Sequence, residues 1–253
     1  MKKMPSEFTE KLIESLYARK GLRDRFVGTS PMVEVIRHIA DSGEPAAIPD
    51  LLPILLTGDK KQIVACAQAI HRLLEQLRPA DFVRFDEFVR QGYSDWRVRR
   101  EPWYVMKADE VDHLARVGET AVSILGVASC HSNGYVREAA VRHLGYIETG
   151  AELPFLFIRA NDWVPEIRSS ARALLLRRIR SDYADSLIAW LPLALRLRDV
   201  NRDDNSRIFE TVRKLPPSDY QHLEVVVSVG GIVFGPVNGP SVCVRSVISC
   251  LER

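Results

Sequence analysis

Residues 131–180, HSNGYVREAAVRHLGYIETGAELPFLFIRANDWVPEIRSSARALLLRRIR, hold two successive copies of one pattern. Each copy has a polar turn, then a β-branched residue and an arginine, then an apolar helical run. Val136-Arg137 opens the first and Ile167-Arg168 opens the second, 31 residues later. Working outward, Arg207 opens RIFETVRKL and Val244-Arg245 opens VRSVISCL, at further spacings of 39 and 38 residues. A period in that range predicts stacked helical hairpins, because one hairpin cannot bury both of its faces and needs neighbours on each side. Ala139, Ala140 and Val141, like Ser169, Ser170 and Ala171, are small enough to let helices approach closely.

The same logic lays out the rest of the chain. A helix from Ser6 carries Phe8, Leu12, Ile13, Leu16 and Tyr17 as an apolar stripe and ends at Gly21. Ser30-Pro31 is a capping hydroxyl followed by proline at the first helical position, and Ser42-Gly43 closes the helix. Residues 45–56 form a short apolar helix, which Pro49 and Pro53 require to be bent or late in starting. Thr57-Gly58-Asp59 is a turn into a longer helix with Ile63, Val64, Ala67, Ile70, Leu74 and Leu77 on one face.

Residues 81–91 are amphipathic, with Phe82, Phe85, Phe88 and Val89 turned inward, and 92–118 are the least regular. Hairpins follow over 119–146 and 153–180, then helices over 182–197 and 205–215 with a stop at Pro216-Pro217. Residues 218–240 read locally as strand and turn, being rich in valine and glycine. Their place in the period favours a first helix plus loop instead.

Composition narrows the class. Apolar residues make up 46%, enough for a continuous core. The 35 basic residues nearly balance 33 acidic ones, so overall charge demands no anionic partner. Cys66, Cys130, Cys243 and Cys250 form no C-x-x-C pair. Cys243 and Cys250 are about 10.5 Å apart along a helix, too far for a disulfide. Scattered thiols of this kind fit a reducing compartment. The first 17 residues lack an apolar signal core, and the run from Leu187 to Leu195 is shorter than the roughly 20 residues that span a bilayer. A cytoplasmic protein is the expectation.

SNGYVREAAVRHLGYI and NDWVPEIRSSARALLLRRI resemble HEAT repeats, members of the armadillo-like helical class. The resemblance implies an all-α, right-handed solenoid of HEAT-like hairpins, with one degenerate repeat and an irregular C-terminal segment. Residues 1–44 would cap an array running over 45–253. Asp162 and Arg168, six apart, match the aspartate and arginine of the family's inter-repeat ladder, in which Arg137, Arg207 and Arg245 are further members. His131, Asn201 and Gly239 replace the aspartate elsewhere, so the ladder is incomplete. The last repeat-like helix closes at Arg253 without a polar cap, which predicts either a covering partner or a cap beyond it.

No catalytic constellation emerges. Cys130-His131 is an isolated thiol–imidazole pair, since adjacent residues rarely face each other, and no third or fourth ligand is spaced to make a metal site. No Gly-rich phosphate loop or nucleophile elbow is present. The candidate binding surface is Trp96, Arg97, Arg99, Trp163, Arg172 and Arg178, with Trp103 adding stacking capacity. The leading expectation is a non-catalytic scaffold or adaptor that holds a protein or peptide on a concave surface, without cofactor, metal or membrane. The alternative is a nucleic-acid-binding solenoid that resembles the HEAT-like alkylpurine DNA glycosylases and uses an arginine-rich concave face.

Overall fold

A computed structural model describes residues 4–17, 31–90 and 101–198, and the backbone of 224–228 and 231–235. Apart from one strand pair, the described residues are helices, short 3₁₀ segments and turns. The chain divides into two compact units, Met1–Ile147 and Glu148–Arg253.

The first unit opens with α1 (Glu7–Tyr17) and α2 (Pro31–Asp41), which pack on each other. Ser6 starts α1 as expected, accepting from the Thr9 amide at 3.4 Å. The buried stripe is Thr9, Ile13 and Leu16, whereas Phe8 is 66% exposed. Phe8 and Thr9 are adjacent, and a 100° step is enough to take a side chain from core to solvent. Tyr17 then donates its hydroxyl to the carbonyl of Asp50 and ties α1 to the next helix.

That helix, α3 (Ile48–Thr57), starts late, behind a 3₁₀ turn at Pro45–Ala47 that places Pro49 in its first turn. Asp59 caps α4 (Lys60–Leu74) with a reciprocal box. Its carboxylate accepts from the amides of Lys61 and Gln62 at 2.9 and 3.0 Å, while the Gln62 side chain accepts from the Asp59 amide at 3.1 Å. Ile70, Leu73 and Leu74 face the core, but Val64 points out and Ile63 is half-buried. In α5 (Phe82–Arg90), Phe82, Phe85 and Val89 are buried and Phe88 is half-buried.

The irregular segment contains two single-turn helices, α6 (Glu101–Tyr104) and α7 (Val111–Leu114). They pack against α3 and against the next hairpin, α8 (Ala121–Ala128) and α9 (Gly134–Leu144). All eight residues of α8 are buried, and α4, α7 and α9 contact it. A helix that is apolar on every side has no stable place except the middle of a unit.

In the second unit, α10 (Leu153–Arg159) packs on α11 (Pro165–Arg178) and is likewise buried along its whole length. The single helix expected over 182–197 is two, α12 (Ala184–Ala189) and α13 (Leu191–Arg198), broken at Trp190. Pro192 has no amide to donate to the carbonyl four residues earlier, so the ladder cannot run through.

Residues 224–228 and 231–235 overturn the helix favoured by the period. Glu224–Ser228 (β1) and Gly231–Gly235 (β2) pair antiparallel, from Glu224 opposite Gly235 to Ser228 opposite Gly231. Three consecutive valines and a Gly-Ile-Val-Phe run favour extended backbone, and here local preference prevails. The expected helices over 205–215 and 244–251 lie outside the described residues. No described helix is long and apolar enough to cross a membrane.

Candidate functional site

The arginines that mark the repeats serve the turns that precede them. Arg137 is buried, and its Nη1 donates to the carbonyl oxygens of His131 and Ser132 at 3.0 and 2.9 Å. Arg168 Nη1 donates to the Asp162 carbonyl at 2.7 Å. In both hairpins the arginine on the second helix reaches back six residues to a main-chain oxygen. These bonds pin a turn within one hairpin. The Asp162 carboxylate has other work: one oxygen meets Arg159 at 2.7 Å in a buried pair, and the other accepts from the Val164 amide at 3.0 Å, closing the turn that leads into α11.

Two of the proposed surface arginines turn inward as well. Arg172 Nε donates to the Ala160 carbonyl at 3.1 Å. Arg178 is buried against Glu152, with Nε 2.6 Å from Oε1, so it does not line a solvent-facing surface. A guanidinium presents several donors in a fixed fork, which suits it to tying loop carbonyls and carboxylates together. Arg180 lies over the Tyr183 ring and near Glu148. Burial holds the Tyr183 hydroxyl above its ordinary titration range, and the charge of Glu152 adds to this. Trp163 is 58% exposed in its turn. Trp103 is core, edge-on to His131, and cannot stack on a ligand. Trp96, Arg97, Arg99, Arg207 and Arg245 lie outside the described residues.

Cys130 and His131 are also committed internally. The thiol is buried, 3.5 Å from the Gly126 carbonyl. His131 Nε2 is 2.8 Å from the Trp103 carbonyl, and Nδ1 accepts from the Asn133 amide at 2.9 Å. That pair of partners fixes a neutral tautomer with the proton on Nε2. Burial pushes the imidazole below its ordinary value, and the hydrogen bond to Trp103 opposes this only in part. Among the described residues, no group of three or more histidines, cysteines or carboxylates is placed to hold a metal ion.

The structure brings together a set of residues that the sequence did not single out. α2 and α4 leave a groove between them, floored by Ala40, Ala65 and Ala69 and rimmed by Arg37, Asp41, Gln68, His71 and Arg72, with Thr120 at one end. Arg72 meets Asp41 across the groove at 2.8 Å, and Arg37 meets Glu34 at 2.7 Å. Both pairs are solvent-exposed and so worth at most about 1 kcal/mol each, which leaves them ready to exchange for a partner's charges. His71 Nδ1 lies 2.8 Å from Ser123 Oγ, and Nε2 lies 3.6 Å from Glu75. Ser123 is only 5% exposed and does not line the groove, so the contact joins α4 to α8 and presents no accessible nucleophile. The signal for this groove lies only in the polar, outward positions of α2 and α4, which no motif marks.

Comparison with family models, with curated proteins and with solved structures gives no match to this chain.

Proposed function

We propose that this chain is a non-catalytic HEAT-type α-solenoid that binds a protein or peptide partner on the face made by the second helices of its hairpins. The observation that carries the reading is the α2–α4 groove, set between the second helices of two successive hairpins. Its floor is three small, buried alanines, and its exposed ion pairs offer both signs of charge to a partner. Two further features support the reading. Helices α3, α8 and α10 are each buried and each followed by an amphipathic helix with an outward stripe, as in an array of repeated hairpins. Trp163, exposed at a turn between such helices, has the size and amphipathic character of a binding anchor.

The arginine-rich alternative draws less support from the same residues. Arg168, Arg172 and Arg178 spend donors on carbonyls and on Glu152, which leaves fewer to meet phosphates along a nucleic-acid backbone. Affinity capture from native extract, with and without nuclease, separates the two readings. A stoichiometric protein partner that survives nuclease is the expected result. Material that disappears with nuclease, or nucleic acid released by salt, would overturn it in favour of the nucleic-acid reading.

A further inference from the structure

Helix α9 turns four side chains to solvent in a single stripe, Tyr135, Glu138, Arg142 and Tyr146, the last just beyond its final turn. At 100° per residue they fall within an arc of about 80°. Tyr135 is 75% exposed and Tyr146 80%, the two most exposed large apolar side chains among the described residues. Glu138 and Arg142 are one helical turn apart and both exposed, and the Arg142 charge also acts on the Asp112 carboxylate beside α9.

The order of the stripe is aromatic, acid, base, aromatic, which is complementary to its own reverse. A second α9 laid antiparallel places each Glu138 against Arg142 of the other copy. It also places each Tyr135 against Tyr146 of the other copy. The two pairings are centred within half a residue of each other, at the level of Ala140 along the helix axis but on the opposite, exposed face, so one two-fold axis serves all four contacts. Closed two-fold pairing of identical patches is the commonest form of self-association. Tyrosine suits the flanks, because its ring can be buried while its hydroxyl stays in water.

We infer that α9 is a self-association surface, through which two copies of this chain form an antiparallel, two-fold α9–α9 contact. One helix against another buries less than the about 1,200 Å² usual for stable complexes, so the dimer is weak and concentration-dependent. The inference stands on the stripe alone and does not depend on the partner proposed above.

Sedimentation velocity from low micromolar to several hundred micromolar tests it. The wild-type chain is expected to move from monomer toward dimer across that range. Glu138→Arg sets like charges opposite each other at both pairs and is expected to raise the dissociation constant at least about tenfold, as is Arg142→Glu. The combined Glu138→Arg/Arg142→Glu chain rebuilds the pairs with reversed polarity and is expected to recover the wild-type constant. All the replaced side chains are exposed, so circular dichroism should show unaltered melting. A wild-type chain that stays monomeric throughout would overturn the inference. So would a dimer unmoved by the single reversals, or one that the double reversal fails to restore.

Discussion

Arg178 and Glu152 form a buried ion pair at 2.6 Å that ties the last turn of α11 to the residue preceding α10. The two are 26 residues apart, so one contact fixes both ends of a hairpin. Removing either partner leaves the other charge buried without it. Arg178→Ala should therefore cost about 3–5 kcal/mol, whereas replacing both residues by apolar ones of similar volume should cost much less. Urea unfolding of the single and double variants, read by circular dichroism, measures the difference.

The turn-pinning arginines should rank by burial. Arg137 is buried and serves two carbonyls; Arg168 is half-buried, with the Asp162 carbonyl among its partners. A hydrogen bond from a charged group contributes about 1.5–3 kcal/mol. Arg137→Lys should thus destabilise more than Arg168→Lys, because an ammonium is more strongly hydrated than a guanidinium and costs more to place at the buried site than at the half-buried one. Chemical denaturation midpoints check the order.

These two arginines show what could and could not be read from the sequence. Their recurrence was legible, and it located α9 and α11 correctly. Their role was not, because the acceptor is a main-chain oxygen that any residue supplies. His131 in the aspartate position is therefore no defect for this bond, since its carbonyl accepts as that of Asp162 does. The start of α1 at Ser6 and the turn at Asp59 were legible for the opposite reason, being local side-chain chemistry. Burial of Trp103 and Arg178 depends on partners 28 and 26 residues away, which no local pattern reveals. At 224–228 and 231–235 the local reading of strand was right and the period was the misleading guide.

Acid should weaken the first unit through His131. Its folded-state value lies below the ordinary 6.5 because the ring is buried as the neutral form. As pH falls through the unfolded value, the unfolded chain takes up a proton that the folded chain does not. Stability contributed by neutral His131 is therefore fully present above about 6.5 and lost progressively below it. His131→Gln should be less stable at pH 8 yet show a shallower decline toward pH 5, measured by unfolding midpoints in about half-unit steps.

Backbone geometry gives a separate check. Gly118 and Gly150 have φ of +92° and +86°. A methyl group at Gly118 meets nothing within 4 Å, whereas at Gly150 it runs into the Ser186 hydroxyl and lies 2.9 Å from Ser186 Cβ. Gly118→Ala should cost the conformational penalty alone, about 1–2 kcal/mol. Gly150→Ala should cost more, and thermal melting of the two variants decides it.

The most direct test of partner binding is quantitative capture from nuclease-treated extract by the wild-type chain and by Arg37→Glu/Arg72→Glu, which reverses charge at both sides of the α2–α4 groove. Both side chains are exposed, so the variant should keep the fold, with only the small loss of melting temperature that two exposed ion pairs account for. The account predicts a stoichiometric protein partner that the wild type retains and the variant loses. Equal capture by both chains, or capture that vanishes with nuclease, would contradict it.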